Sequence, residues 1–201
     1  MLGLMKSAHN WIWDRRLGVR TAGEFKPLDT SLHHDASRSA PLAYHLISRY
    51  IRLLALKPDD VVYDLGCGTG RPLCMFARQN VVRCVGVELD PAIAAIARRN
   101  ASQLKEVRSE ISIIHADAAS LDYGDGTVFW IYNSFGSATM TAVLARIRAS
   151  IDQQPREVRF CYVTPEAEDA FFSAGWLTRT RKVRPLLYPS GVASFWQSAA
   201  C

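Results

Sequence analysis

The sequence predicts an α/β protein: a doubly wound, mainly parallel sheet with helices on both faces and an antiparallel hairpin at its C-terminal end. Three observations predict it. From Val61 onward, short β-branched or aromatic runs alternate with helical patterns, and such alternation implies right-handed crossovers between parallel strands. Several of the runs are apolar on both faces, as strands covered from two sides must be. The alternation breaks only over residues 176–197, where two strand-like runs flank Tyr188-Pro189-Ser190-Gly191, a turn composition.

Composition narrows the class. The 201 residues are 49% hydrophobic and 21% charged, which suits a globular chain and excludes a disordered, collagenous or solenoid one. No apolar run approaches the ~20 residues of a membrane span, and polar positions interrupt the first thirteen residues, so no signal peptide is expected. The five cysteines, at 67, 74, 84, 161 and 201, include no Cys-x-x-Cys spacing. They read as small hydrophobes in a reducing, cytoplasmic setting. No Cys/His pair has ligand spacing, so no metal site is expected. The net charge of +5 comes from basic residues scattered along the chain, which describes a solvated surface and leaves nucleic acid permitted but not implied. A monomer or weak dimer is expected.

Each element has its own signal. Residues 1–38 show no clear period and contain Trp11, Trp13 and three His. Ser39 and Pro41 open a helix with Leu42, Leu46, Ile47, Tyr50 and Leu53/Leu54 on one face, ending before Pro58. The strand runs are 61–65, 83–89, 111–117, 127–133 and 158–163. Asp90-Pro91 is a cap followed by a proline that fits the first helical position. Ser137 precedes a stripe of Met140, Val143, Leu144 and Ile147. Thr164-Pro165 opens a helix that Gly175 closes.

The densest information lies in Asp64-Leu-Gly66-Cys67-Gly68-Thr-Gly70-Arg71. Alternate glycines after a buried strand allow a tight turn that brings bare backbone against a ligand at the carboxyl edge of the sheet. The dinucleotide pattern G-x-G-x-x-G fails, because Arg71 or Leu73 stands at its third glycine; no Gly-Lys-Ser/Thr follows for a phosphate loop. Glu88, at the end of the second strand, suits the two hydroxyls of a ribose. Asp117, after the third, suits an adenine amino group.

Taken in order, Asp64-x-Gly66-x-Gly68-x-Gly70, Glu88 and Asp117 resemble the class I S-adenosylmethionine-dependent methyltransferases, over about residues 40–200. The resemblance implies a seven-stranded sheet completed by the terminal hairpin, with S-adenosyl-L-methionine as cofactor. By resemblance, Asp64, Gly66, Cys67, Gly68 and Gly70 hold its amino-acid part, Glu88 with Leu89 the ribose, and Asp117 with Ala118 the adenine. Asn133-Ser134-Phe135-Gly136 occupies the family's reactive position after the fourth strand. It is similar to the N-x-F element of seven-strand protein-lysine methyltransferases and of many unassigned bacterial members, and unlike the Asp/Asn-Pro-Pro-Tyr/Phe of enzymes acting on nucleic-acid bases. The aromatic-x-Pro-Ser/Thr element of those relatives aligns with His34-Asp35-Ala36-Ser37.

Methyl transfer from a sulfonium is an in-line displacement, so alignment and exclusion of water are what the protein must supply. Asn133 is the expected contact to both cofactor and nucleophile, with His34, Asp35 and Tyr44 as further catalytic candidates. The acceptor is an N or O nucleophile, for which a protein lysine, an RNA or a small molecule all remain open. Arg179, Arg181, Lys182 and Arg184 favour RNA; a non-catalytic cofactor-binding or regulatory domain is the rival from another class. Two units follow: a lid over residues 1–38, with Trp11, Trp13 and Phe25 to bury and Gly18 and Gly23 to bend at, and a methyltransferase domain over 39–201.

Overall fold

The computed structural model describes residues 2–22, 42–186, 188 and 191–199, with only the backbone of residues 2–8. Seven strands form one sheet in the order β3-β2-β1-β4-β5-β7-β6. They are β1 (Val61–Leu65), β2 (Arg83–Glu88), β3 (Glu110–His115), β4 (Val128–Tyr132), β5 (Arg159–Val163), β6 (Leu177–Val183) and β7 (Ala193–Ser198). The first five pair in parallel, and β7 runs antiparallel to both β5 and β6. The expected architecture, hairpin included, is the observed one.

Six helices are seen among the described residues: α1 (Leu2–Leu17), α2 (Tyr44–Leu54), α3 (Arg71–Phe76), α4 (Pro91–Gln103), α5 (Ser137–Gln153) and α6 (Glu168–Ala174). One apolar layer joins α2 and α3 to Trp130 and Phe195, with Leu17 at the end of α1 and Val19 just beyond it. The opposite layer joins α5 and α6 to Tyr63, Phe129 and Phe160. These last three are register partners on β1, β4 and β5. Their rings stack at centroid distances of 5.7 and 5.1 Å, a ladder that ties the central strands beyond simple burial.

Local chemistry sets the helix starts. Asp90 accepts from the N–H of Ala92 and Ile93 at the head of α4, with Pro91 as the first residue. The stripe Met140, Val143, Leu144, Ile147 is buried along α5. At the amino edge of the sheet, Asp60 accepts from Arg159 Nη2 at 2.5 and 2.6 Å, from Thr127 Oγ1 at 2.8 Å and from the Lys57 N–H at 2.6 Å.

The structure moves several boundaries. Residues 1–38, unassigned from sequence, begin with α1. Trp13 is half-buried and stacks on Tyr44, but Trp11 is 58% exposed, so of the two tryptophans expected to be buried only Trp13 packs inward. The helix expected from Ser39 and Pro41 starts at Tyr44 within the described residues. The third strand stops at His115, because Asp117 leaves it to cap a short 3₁₀ turn over Ala118–Ser120. The helix expected at Thr164-Pro165 starts at Glu168: Thr164 takes a left-handed φ of +50°, which no helix can continue through.

Strand order reverses direction at β1, with β2 on one side and β4 on the other. The crevice beyond the carboxyl ends of β1 and β4 is the place where such sheets bind ligands.

Candidate cofactor and active site

At that crevice β1 delivers Asp64 and then the glycine loop. Gly66, Gly68 and Gly70 have φ of +69°, +55° and +83°, conformations open to glycine and strained for other residues. Gly66 is also demanded by space: a Cβ there would lie 2.4 Å from the Ser134 Cβ and 2.6 Å from its Oγ. Ser134 in turn donates to the Leu65 carbonyl at 2.7 Å. The segment after β4 therefore presses directly on the turn after β1.

Glu88 braces the loop from the other side. Its Oε2 accepts from the Gly68 N–H at 2.8 Å and its Oε1 from the Asp90 N–H at 3.0 Å. A carboxylate has about four acceptor positions, so these two bonds orient the group and leave lone pairs for a ligand's hydroxyls. Leu89 is half-buried beside it, its carbonyl 3.0 Å from His115 Nε2.

Asp64 is 1% exposed, and its Oδ2 has no hydrogen-bond partner among the described residues. Burial pushes its carboxyl up to about 8, the nearby Glu88 charge adds to that, and the Leu73 N–H pulls the other way. An orphaned, charge-starved carboxyl at a ligand crevice suits a cationic group. The buried Cys67 thiol is pushed well up by desolvation first, then by Asp64 and Glu88. It is a packing atom, donating weakly to the Gly68 carbonyl.

Asp117 is exposed just beyond β3, with Oδ1 accepting from the Ala119 N–H at 2.8 Å. Ala118 beside it is buried, its carbonyl taken by the Tyr123 hydroxyl at 2.7 Å. Asn133 directly follows β4, half-buried, with φ +40° and its N–H on the Val163 carbonyl at 3.1 Å. Its side chain makes no hydrogen bond among the described residues, and a non-glycine residue held in the left-handed region is a mark of a constrained position.

The other three catalytic candidates fare differently. His34 and Asp35 lie outside the described residues. Tyr44 is fully buried, and its hydroxyl donates to Asp14 Oδ1 at 2.5 Å and lies 3.1 Å from Thr21 Oγ1. Burial first and the Asp14 hydrogen bond second hold that hydroxyl well above its ordinary pKa, so it is a proton-bearing brace. The position corrects the expectation that Tyr44 reaches the mouth as a reacting group.

Sequence reasoning missed Ser134 as the backing of Gly66 and missed a buried cluster behind the loop, formed by Asp14, Thr21, Arg71 and Asn100. Arg71 follows the last glycine directly, and that adjacency was the one available signal.

Residues 62–154 match the methyltransferase domain family. A protein-lysine N-methyltransferase of Saccharolobus islandicus is 30% identical over 93 residues, 46% of this chain and 57% of that protein. A 23S rRNA (uracil(1939)-C(5))-methyltransferase of Xanthomonas axonopodis pv. citri is 30% identical over 168 residues, 82% of this chain and 34% of that protein. The chain thus spans between a third and just over half of the length of these relatives. Among solved structures, an RNA methyltransferase from Salinibacter ruber in complex with S-adenosyl-L-homocysteine superposes with a TM-score of 0.58 at 22% identity, covering 79% of this chain and 92% of that one. Seven strands in this order, a glycine loop after β1 with an acid at its head, an acid closing β2 and a methyltransferase-domain match over just under half of the chain are features that this chain shares with the class I S-adenosylmethionine-dependent methyltransferases.

Proposed function

We propose that this chain transfers a methyl group from S-adenosyl-L-methionine to an N or O nucleophile presented at the carboxyl end of β4, with a protein lysine amine as the leading acceptor. The observation that carries the reading is the loop itself: Gly66 pressed against Ser134, Gly68 held by Glu88, and Asp64 with an unpartnered oxygen. In this reading Asp64 and the Gly66–Gly70 backbone hold the methionine part of the cofactor, Glu88 and Leu89 its ribose, and Asp117 with Ala118 its adenine. The bound cofactor supplies an electrophilic methyl group. The chain's own work is to orient the acceptor and exclude water.

Asn133 orients the acceptor through its unengaged side-chain carbonyl, and Tyr44 acts from behind the loop as a brace. Residues 1–38 serve as a lid, which the docking of residues 14–22 beside the glycine loop supports. The four buried free thiols, Cys67, Cys74, Cys84 and Cys161, suit a reducing compartment such as the cytoplasm, and no described helix is long and apolar enough to cross a membrane.

The lysine reading is supported by the N-x-F element at Asn133–Phe135 and by the Saccharolobus relative. RNA is the second reading, favoured by the rRNA methyltransferase relative. Its expected basic hairpin is weaker than the sequence suggests, because Glu168 takes both Arg179, at 3.4 Å, and Lys182, at 2.5 Å. Of that set, Arg181 and Arg184 are exposed and make no ion pair among the described residues. Incubation of the chain and cofactor labelled in its methyl group with cell extract, followed by separation of protein, RNA and small metabolites, tests both. Label in protein that survives nuclease supports the lysine reading; label in RNA replaces it. Absence of transfer despite cofactor binding makes the chain a non-catalytic binding domain.

A further inference from the structure

Behind the glycine loop lies a polar cluster that the proposed chemistry does not use. Asp14, near the end of α1, is 5% exposed. It accepts from the Thr21 N–H at 2.8 Å, the Thr21 hydroxyl at 2.7 Å, the Ala22 N–H at 2.9 Å and the Tyr44 hydroxyl at 2.5 Å. Arg71, 2% exposed and the first residue of α3, donates through Nε to Thr21 Oγ1 at 2.7 Å and through Nη1 to the Leu42 carbonyl at 3.0 Å. Its guanidinium lies over the Tyr44 ring, 4.7 Å from the centroid, and Nη2 is 3.9 Å from Asp14 Oδ1.

A second set of bonds carries this cluster onto the loop. Asn100 of α4 donates to the carbonyls of Arg20, at 3.0 Å, and Thr69, at 2.9 Å, and accepts from the Arg20 N–H at 2.9 Å. The Thr69 hydroxyl donates to the Thr21 carbonyl at 3.4 Å. Thr69 stands between Gly68 and Gly70. The segment 20–22 is therefore fastened to the cofactor loop at Thr69 and to the start of α3 at Arg71. Asp14 folds that segment back by accepting from Thr21 and Ala22.

We propose that Asp14 is a positioning residue for the cofactor loop, holding residues 20–22 against Thr69 and Arg71 so that cofactor affinity depends on the docking of the N-terminal segment. The inference rests on the cofactor reading above. Removing a carboxylate that serves four donors frees Thr21, unpairs the Arg71 charge and lets Thr69 lose its backing, so the loop must be reordered each time a ligand binds.

A matched control exists in the same molecule. Asp60 is buried to a similar degree, at 3% exposure, and also accepts four hydrogen bonds, but it sits at the amino edge of the sheet, away from the loop. Calorimetric titration of wild type, Asp14→Ala and Asp60→Ala with S-adenosyl-L-homocysteine separates the roles, because stoichiometry reports the folded fraction and Kd reports the loop. Asp14→Ala is expected to raise Kd about 10- to 100-fold, and Asp60→Ala to lower stoichiometry or stability with Kd within about threefold. Should Asp14→Ala not fold, Thr21→Val, which removes the hydroxyl shared by Asp14, Tyr44 and Arg71, is expected to raise Kd in the same direction. Unchanged Kd in the folded Asp14 or Thr21 variant, or equal rises in the Asp14 and Asp60 variants, overturns the proposal. Wild type that binds neither cofactor nor product overturns the cofactor reading itself.

Discussion

Replacing Asp64 by Asn is expected to stabilise the ligand-free chain and to weaken its hold on the cofactor. Burial pushes the Asp64 carboxyl up to about 8 in the fold, against about 3.9 in an unfolded chain. Between those values the unfolded state has lost the proton that the native state keeps, so wild-type stability falls as pH rises, by about 1.4 kcal/mol per pH unit. The loss begins near pH 4 and is complete near pH 8. Carried across the whole interval it reaches about 6 kcal/mol, and relaxation around the buried charge reduces this to about 2–4 kcal/mol. An amide of the same shape never ionises, so Asp64→Asn escapes the penalty, offset by about 1 kcal/mol or more for a buried donor without a partner. Urea denaturation at pH 5, 6, 7 and 8 checks this: the stability difference between variant and wild type should grow with pH and level off above 8. A constant difference across that range would refute the argument, since it would mean that Asp64 titrates as an ordinary carboxyl. The functional half is read in calorimetry. Binding of a cofactor ammonium beside Asp64 should release close to one proton near pH 7 in the wild type and none in the variant, seen by comparing buffers of different ionisation enthalpy.

Gly66→Ala should cost more than a usual glycine substitution, because φ is +69° and the new Cβ would stand 2.4 Å from Ser134; loss of cofactor binding is expected, with partial recovery in Gly66→Ala/Ser134→Gly. Glu88→Ala should weaken cofactor binding by about 1.5–3 kcal/mol, the scale for hydrogen bonds to a charged group, and wild-type affinity in calorimetry would remove Glu88 from the site. Asn133→Ala should keep cofactor affinity within a few-fold and lose turnover on the order of 100-fold; equal losses in affinity and rate would assign Asn133 to the cofactor or the fold.

What was legible in the sequence was local. The strands at Val61–Leu65 and Arg159–Val163 could be read because burial on both faces leaves a continuous apolar run, and the glycine loop because its requirement falls on alternate residues of one turn. Helix α1 could not be read: of its described side chains only Asp14 and Leu17 are buried, too few to impress a 3.6-residue period on the segment. The Asp14 cluster was equally hidden. Its partners Tyr44 and Arg71 are 30 and 57 positions away, and no spacing rule links residues that meet only in the fold. The start of α6 was missed because Thr164-Pro165 carries the composition of a helix cap while Thr164 takes a left-handed turn instead.

The same geometry explains why the site's least stable feature is retained. Gly66 is backed by Ser134 after β4, Gly68 by Glu88 at the end of β2, and Thr69 by Asn100 on α4 and by residue 21 beyond α1. Four elements distant in sequence thus fix one turn of five residues, so little ordering remains to be done when a ligand arrives, and binding free energy is not lost to it. Asp64 sits at the head of that turn with one oxygen unmatched. In the empty protein this is a cost, which the rest of the fold must carry; with a cationic group in the crevice it becomes an attraction. A site braced this tightly can hold an ill-satisfied carboxyl in place, whereas a loose loop would turn it out to water. Rigidity around the loop and instability at Asp64 are therefore two halves of one arrangement, in which stability is given up where a ligand restores it.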